Sequence, residues 1–325
     1  MIFVTGATGF LGKAVVTELL QKKYRVRIFA RPSSDITFFQ QMPGVEIATG
    51  DILDPDSIRQ AIQGCRIAVH AAALVRFWGK TKAFEETNIR GTENVLQAAV
   101  KGGLSRVILI SSIAVIGVPP LAAPITEATP PHPVDPYQRS KLGAETVAQR
   151  YQGEFGLEVV ILRLGALYGP WGRYAFNRLF FEEFLRGWRI QVERGRHITF
   201  PCFVQDAAQG VERAIHLGKS GEIYHICGAS ISHKALNQLI SQQAGKSNRR
   251  VNLPKWLMIA AANLMELAAR LTNQEPFYPI SLKTYVFQDW IVDCSKAQKE
   301  LGFCPTPIEE GVQQTLAWYR SLARD

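Results

Sequence analysis

The chain has 325 residues, of which 47% are hydrophobic and 20% are charged, and its formal net charge is +9. This composition is ordinary for a globular protein with a sizeable core, and the sequence shows no internal repeat or low-complexity stretch. The positive charge suits an anionic cofactor, a nucleic acid or an acidic membrane surface, but no long run of Lys and Arg supports nucleic-acid binding.

The first half of the chain alternates short apolar segments with segments of helical periodicity. The predicted strands are rich in Val and Ile without strict alternation, as expected when helices cover both faces of a sheet. They are MIFVT, VRIFA, VEIATG, RIAVHAA, RVILISS and LEVVILRL. Helices are predicted at about 10–22, at about 82–100 and from Asp135 onward. This order predicts an α/β fold with a doubly wound parallel sheet.

A glycine-rich turn, VTGATGFLG, joins the first strand to the first helix. Gly6, Gly9 and Gly12 stand at three-residue intervals, where glycine permits a tight turn and close approach of the backbone to a pyrophosphate. The helix that follows would supply N–H groups to the anion. The turn therefore predicts a dinucleotide site.

The end of the second strand bears on the choice between NAD and NADP. An acidic residue there suits the ribose hydroxyls of NAD, whereas arginine suits a 2′-phosphate. The stretch VRIFARPSSD places Arg31 at the strand end with Ser33 and Ser34 after it, and Asp35 is better placed to cap a helix. We expect NADP, with NAD as the alternative and Arg31 then an ordinary surface charge.

The stretch DPYQRSKLGAE predicts a helix capped by Asp135 with Pro136 in its first turn. Tyr137 and Lys141 then lie on the same helical face, four residues apart. This spacing is consistent either with a surface pair or with a phenol made acidic by a neighbouring ammonium group.

After Arg163 the pattern changes to short helices mixed with Gly, Trp and Phe, and from about residue 228 the chain is mainly helical. QDAAQGVERAIHLG predicts a helix and GEIYHICG one further strand. We predict an NAD(P)-binding domain of residues 1–163 and 203–227. A smaller, mainly helical substrate-binding domain would comprise residues 164–202 and 228–325.

The apolar segment from Leu253 to Leu271 is the one that could meet a membrane. A spanning helix needs roughly 20 mostly apolar residues, whereas Asn263, Glu266 and Arg270 interrupt this one along a single face. The pattern predicts an amphipathic helix packed within the smaller domain. Contact with a membrane surface is the alternative.

The five cysteines are scattered and form no C-x-x-C pair, so neither a zinc site nor a disulfide framework is indicated. Met1 leads almost directly into an apolar segment, without a basic cleavable leader. We expect a cytoplasmic protein without a metal.

Taken together, the motifs resemble the extended short-chain dehydrogenase/reductase family. The matching stretches are TGATGFLG, Gly50-Asp51-Ile52, His70-Ala71-Ala72-Ala73, Thr87-Asn88-Ile89-Arg90-Gly91-Thr92, SSIAVIG from Ser111 to Gly117, and the Y-x-x-x-K pair. VRIFARPSSD and AALVRFWG are most similar to the branch of dihydroflavonol reductases and 3β-hydroxysteroid dehydrogenases.

The resemblance implies specific roles. The catalytic residues would be Ser112, Tyr137, Lys141 and, by organising its helix or a water relay, Asn88. The cofactor-binding residues would be Thr5, Gly6, Thr8, Gly9, Phe10, Leu11, Gly12, Arg31, Ser34, Asp51, Ile52, Ala71, Ala72, Ala73, Ser111, Tyr137, Lys141 and Leu164. Tyr137 would exchange a proton with the substrate oxygen, and Ser112 would hydrogen-bond that oxygen. Lys141, together with an oxidised nicotinamide cation nearby, would lower the pKa of the phenol toward neutrality, and Lys141 would also hold the nicotinamide ribose. The resemblance also implies a homodimer through the helix at 82–101 and the Tyr137 helix.

The substrate side is predicted from fewer signals. The loop after the fourth strand lies where α/β proteins bind ligands. The predicted substrate-binding residues are Val75, Phe77, Trp78, Ile113 and Tyr168, which suit a hydrophobic carbonyl or alcohol. Phe176, Phe180, Phe184 and Trp188 recur at intervals of four and are predicted to belong to the core.

The sequence departs from the family pattern at two places. Leu164 stands where the family often has proline after the sixth strand, and Ile113-Ala114 replace the acidic pair of nucleotide-sugar dehydratases. We therefore expect an NADP-dependent oxidoreductase. The alternatives are a nucleotide-sugar epimerase that retains its cofactor and a non-catalytic NADP sensor.

Overall fold

The computed structural model describes residues 1–121, 123–272 and 274–322. Thirteen strands occur in these residues. They are β1 (Ile2–Thr5), β2 (Val26–Ala30), β3 (Val45–Thr49), β4 (Ile67–His70), β5 (Arg106–Ser112), β6 (Glu158–Leu164), β7 (Ala166–Tyr168), β8 (Ile190–Val192), β9 (Ile198–Thr199), β10 (Pro201–Phe203), β11 (Ile223–Ile226), β12 (Ile231–Ser232) and β13 (Val251–Leu253).

The same residues form twelve α-helices. They are α1 (Phe10–Gln21), α2 (Pro55–Ala61), α3 (Thr81–Phe84), α4 (Gly91–Lys101), α5 (Pro136–Phe155), α6 (Glu183–Leu185), α7 (Val204–Leu217), α8 (His233–Gln243), α9 (Lys255–Thr272), α10 (Lys283–Val286), α11 (Ser295–Leu301) and α12 (Ile308–Ser321). Single turns of 3₁₀-helix lie at 37–39, 113–116, 193–195 and 280–282, and π-helical turns at 85–90 and 177–182.

Seven parallel strands form the central sheet in the order β11-β6-β5-β4-β1-β2-β3. Neighbouring residues of a strand face opposite sides of the sheet. In β1, Ile2 and Val4 accordingly pack with α1 and α7, whereas Phe3 packs with α2, α4 and α5. The predicted doubly wound α/β fold is confirmed.

Helix α5 begins where its sequence predicts. Asp135 accepts a hydrogen bond from the Gln138 N–H at 2.8 Å, and Gln138 Oε1 accepts one from the Asp135 N–H at 3.4 Å, which together form a capping box. Gly156, at φ 66°, ends the helix in the left-handed conformation. This start fixes where Tyr137 and Lys141 emerge.

Helix α9 is packed as predicted, but not with its larger apolar side chains inward. Only Ala262 and Ala269 of this helix are fully buried, and Glu266 faces inward to accept a hydrogen bond from the Ile280 N–H at 2.8 Å. The leucines of the helix lie mainly on the outside. In the described part of the chain, none of the helices combines the length and apolar character needed to cross a membrane.

Candidate active site

A cavity of about 730 Å³ lies at the carboxyl edge of the central sheet. This edge is where α/β sheets bind ligands, because the loops after parallel strands meet there. The cavity brings together most of the predicted site residues: Gly6, Thr8, Gly9, Phe10, Leu11, Gly12, Arg31, Ser34, Asp51, Ile52, Ala71, Ala72, Ala73, Val75, Phe77, Ser111, Ser112, Tyr137, Lys141 and Leu164.

The turn between β1 and α1 requires glycine at two positions, Gly6 and Gly12. Gly6 has φ +71°, and a Cβ on it would come within 2.6 Å of the Ala72 backbone nitrogen. A Cβ on Gly12 would collide with the Gly6 carbonyl oxygen. Gly9 is the N-cap residue of α1 and has no side chain that could hydrogen-bond the first N–H groups of the helix. The amino terminus of α1 is thus left open to the cavity, which is what a pyrophosphate requires.

Arg31 and Ser34 form the rim of the cavity beyond β2. Arg31 is exposed, and its guanidinium makes no hydrogen bond or ion pair to any residue that the structure describes. Asp35 instead accepts a hydrogen bond from the Thr37 N–H at 2.9 Å. Hydrogen bonding to the Thr37 side chain, with a smaller contribution from this N–H, holds the pKa of the Asp35 carboxyl below its ordinary value. The cation, and not the nearby carboxylate, is therefore the group free to meet a ligand.

Ser112, Tyr137 and Lys141 converge at the inner end of the cavity. Ser112 ends β5 and its hydroxyl accepts a hydrogen bond from the Ala114 N–H at 3.2 Å, which starts the following 3₁₀ turn. Lys141 is buried, and its ammonium donates to the Ile110 carbonyl at 2.5 Å. This bond ties the Lys141 ammonium to the end of β5.

In the chain without its cofactor, the pKa of the Tyr137 phenol lies above its ordinary value. Burial raises the pKa of Tyr137 to about 12, with a smaller contribution from Asp135, whereas the Ser112 hydroxyl acts in the opposite direction. Burial also lowers the pKa of Lys141 to about 8. The expected lowering of the phenol's pKa by Lys141 is not seen in the chain alone, because desolvation dominates.

The far end of the cavity is largely apolar. Phe77 stacks on Tyr174 at 5.8 Å between ring centroids and meets Tyr285 edge-on at 5.3 Å. The other lining residues at this end come mainly from the second half of the chain and include Leu179, Phe180, His233, Leu282 and Val286. Burial lowers the pKa of His233 to about 4, so this imidazole is neutral at pH 7.

Three of the predicted substrate-binding residues lie elsewhere. Tyr168 is buried among Phe176, Phe181 and Phe203, and Ile113 is buried in a separate cluster with Trp290. Trp78 is half-buried and does not line the cavity. Position along the chain suggested these three, but the side chains of Tyr168 and Ile113 point into packed regions.

The predicted aromatic stripe divides between core and cavity. Phe176 and Phe184 are buried in one hydrophobic cluster, as predicted, while Phe176 and Phe180 also line the cavity. Trp188 follows the end of the helix and is exposed.

The family model for the NAD dependent epimerase/dehydratase family matches residues 2–227. The chain belongs to this family. It is 29% identical over 334 residues to a putative dihydroflavonol 4-reductase of Synechocystis sp., covering 98% of this chain and 94% of that protein. It is also 29% identical over 328 residues to sterol demethylase protein B of Methylococcus capsulatus, covering 98% and 97%.

A solved structure supports the same assignment. DesIV, a dTDP-glucose 4,6-dehydratase from Streptomyces venezuelae with NAD and TYD bound, superposes with a TM-score of 0.81 at 25% identity, covering 98% of this chain and 97% of that one. The protein is therefore an NAD(P)-dependent enzyme of the extended short-chain dehydrogenase/reductase type. The open helix terminus, the rim arginine and the buried lysine of the cavity fit such a dinucleotide.

Two predicted site residues, Thr5 and Asn88, do not line the cavity but lie behind its wall. The Thr5 hydroxyl accepts a hydrogen bond from the Ala72 N–H at 3.2 Å, and it forms a second hydrogen bond with Nδ1 of His70 at 2.7 Å. Asn88, in the π-helical turn, accepts from the Leu74 N–H at 2.7 Å and donates to the Ser140 hydroxyl at 2.8 Å. Both therefore position backbone that lines the cavity.

A buried ion pair behind Lys141 was not predicted from the sequence. Arg163 binds Glu145 through two hydrogen bonds of 3.0 and 2.7 Å, and the Ser111 hydroxyl donates to the same carboxylate. Two signals were available: an arginine inside the apolar strand LEVVILRL needs a partner, and Glu145 lies one turn after Lys141. Glu145 also raises the pKa of Lys141 against the effect of burial.

Proposed function

We propose that this enzyme is an NADP-dependent oxidoreductase that interconverts a hydrophobic ketone and the corresponding secondary alcohol. The observation that carries the proposal is the apolar end of the cavity, with Phe77, Leu179, Leu282 and Val286, in continuity with Ser112 and Tyr137. Such a wall would bind a carbonyl compound with little hydrogen-bonding capacity and would exclude water from its carbonyl group.

In the proposed reduction, Ser112 and Tyr137 would act on the oxygen of the substrate carbonyl group. When bound, the reduced nicotinamide supplies the hydride to the carbonyl carbon. Ser112 would donate a hydrogen bond to the carbonyl oxygen, and Tyr137 would transfer its phenolic proton to that oxygen as the C–O double bond becomes single. The products would be the alcohol, the oxidised nicotinamide and a phenolate, and the phenolate would regain its proton from solvent.

The preference for NADP is supported by the rim of the cavity. The fork of Arg31 can bind a 2′-phosphate with two parallel hydrogen bonds, and Ser34 stands beside it. The glycine turn would hold the pyrophosphate, and Lys141 would hold the nicotinamide ribose. The family as such is compatible with either nucleotide, and NAD is the cofactor in the DesIV structure.

The domain division and the homodimer also remain proposals. Residues 1–163 and 203–227 would form the cofactor domain, since β11 returns to the sheet beside β6. Residues 164–202 and 228–325 would then supply the substrate wall. Dimerisation would use the surface formed by α4 and α5. Within one chain, an Arg150–Glu93 ion pair of 2.5 Å connects these two helices.

The test is NADPH consumption by the purified protein with steroid, aryl and alicyclic ketones and, in separate reactions, with nucleotide sugars. Tyr137→Phe should abolish consumption while the protein still binds NADPH. Tyr151→Phe is the matched control, because it removes a phenolic hydroxyl from the same helix outside the cavity.

The rival activities give different results. An epimerase would interconvert nucleotide sugars with no net consumption of NADPH and would retain its cofactor during purification. A sensor would bind NADPH equally in the wild type and in Tyr137→Phe, with no turnover in either protein.

A further inference from the structure

The outer face of α9 is an exposed apolar stripe. Trp256, Leu264, Leu267 and Leu271 are 69%, 70%, 59% and 82% exposed. Together with Ala260 they recur at intervals of three and four residues, which places them along one side of the helix. We call these five residues the α9 stripe. Large apolar residues grouped on one exposed face indicate an interaction surface, unlike single exposed leucines.

The fold does not use the α9 stripe, because the helix is packed through its opposite side. Ala262 and Ala269 are buried there, and Met258 packs with Leu282 in the cluster next to the cavity. The hydrogen bond from the Ile280 N–H to Glu266 fixes the rotation of the helix about its axis. The stripe therefore faces outward as a consequence of the native packing.

Exposed cations lie near the α9 stripe. Lys255 and Arg270 belong to the helix itself, and Arg194 and Arg196 line a surface groove together with Trp256. Arg249 precedes β13, the strand that leads into the helix. Arg196 pairs with Glu193 at 3.1 Å. Glu266 and Glu275 accept hydrogen bonds from the Ile280 N–H and the Tyr174 hydroxyl, which leave their negative charges in place. Arg194, Arg249, Lys255 and Arg270 make no ion pair with any residue that the structure describes, so cations outnumber carboxylates among these groups.

We propose that the α9 stripe docks on an anionic lipid bilayer, with the helix lying in the plane of the interface. A helix with an apolar face bordered by Lys and Arg suits this position, because its leucines and tryptophan enter the acyl boundary while its cations meet lipid phosphates. The overall charge of +9 adds to the attraction.

A bilayer fits this surface better than a second copy of the chain. A two-fold interface places the same patch on both partners. Lys255, Arg270 and Arg194 would then face their own counterparts, whereas anionic lipids neutralise them.

The position of the stripe relates the membrane to the cavity. On the inner side of α9, Met258 shares a cluster with Phe77, Leu179 and Leu282, which also line the apolar end of the cavity. A bilayer on the outer side would therefore lie next to that end. This inference concerns the surface alone and does not depend on which reaction the cavity carries out.

The test is co-sedimentation of the full chain with phosphatidylcholine vesicles, with and without phosphatidylglycerol, at low and high salt. We expect binding to the vesicles that contain phosphatidylglycerol and weaker binding at high salt. The combined variant Trp256→Ser, Leu264→Gln and Leu271→Gln should lower the partition coefficient at least about tenfold, since three apolar side chains no longer enter the lipid. Arg249→Gln with Lys255→Gln and Arg270→Gln should remove the dependence on phosphatidylglycerol.

The matched control is Ile47→Gln with Phe155→Ser and Leu217→Gln, which removes three exposed apolar side chains from other elements and should bind as the wild type does. The proposal is overturned if the wild type stays in the supernatant with every vesicle, or if the stripe variant binds as well as the wild type. It is also overturned if light scattering shows that the stripe variant only converts a dimer to a monomer without a change in vesicle binding.

Discussion

Replacement of Arg31 by alanine tests the choice of cofactor. A hydrogen bond between a charged donor and a phosphate contributes about 1.5–3 kcal/mol. Arg31 is exposed, so solvent and salt reduce this contribution. We expect about 1–2 kcal/mol, which corresponds to a roughly 5- to 30-fold increase in KM for NADPH. The KM for NADH should stay unchanged, because NADH has no phosphate at this position.

The assay compares initial rates with NADPH and NADH at low and high salt. Arg59→Ala is the control, since Arg59 is an exposed arginine on α2 that pairs with Asp56 away from the cavity. An equal loss with both cofactors would show that Arg31 acts on the fold or on a part common to both nucleotides. A wild type that prefers NADH, or a variant unchanged with NADPH, would refute the assignment to the 2′-phosphate.

Two further predictions concern stability. Glu145→Gln leaves the buried Arg163 without its carboxylate and should lower the free energy of unfolding, measured in urea, by about 3–5 kcal/mol. The control Glu154→Gln, at an exposed position of the same helix, should change the free energy of unfolding little. An unchanged urea midpoint for Glu145→Gln would contradict the role of the ion pair. Burial lowers the pKa of His225 to about 4 in the folded protein. As the pH falls, His225 is therefore protonated at a higher pH in the unfolded chain than in the folded protein. The stabilisation is complete above the unfolded pKa near 6.5 and is lost toward pH 4, about 3 kcal/mol for this residue. Neither ring nitrogen of His225 has a hydrogen-bond partner among the described residues. His225→Phe should therefore reduce the loss of stability between pH 7 and pH 4.5. A loss as large as that of the wild type would show that other groups control acid unfolding.

The cofactor end of the fold could be predicted because its signals are local. Strands flanked by helical periods predict a parallel sheet, and a glycine triplet between strand and helix predicts the turn at which the chain approaches an anion. The capping box at Asp135 is likewise written in four consecutive residues. Each of these depends on the conformation of a short segment and not on its distant neighbours.

The apolar end of the cavity could not be predicted in the same way, because it is assembled from distant segments. Leu282 and Val286 come from the last third of the chain and meet Phe77 only after folding. Tyr168, only a few residues beyond the sixth strand, packs instead against Phe181 and Phe203. Sequence spacing gives the strand end but not the direction in which each side chain points.

The rotation of α9 shows a similar limit. Periodicity identifies an amphipathic helix, and the usual inference is that its larger apolar side is buried. Here two alanines, one hydrogen-bonded glutamate and the half-buried Met258 make the inner contact, while the leucines lie mainly outside. Small residues permit close packing at little cost, so hydrophobicity alone gives the wrong face.

The protonation state of Tyr137 connects the fold to the direction of the proposed reaction. An acid that protonates a carbonyl oxygen must hold its proton at the working pH. Burial gives the phenol a pKa of about 12, and the Lys141 ammonium, bonded to the Ile110 carbonyl, does not offset it. Proton removal from an alcohol would require further positive charge near the phenol. In the chain by itself the Tyr137 phenol therefore holds its proton at pH 7, as the acid of the proposed carbonyl reduction must.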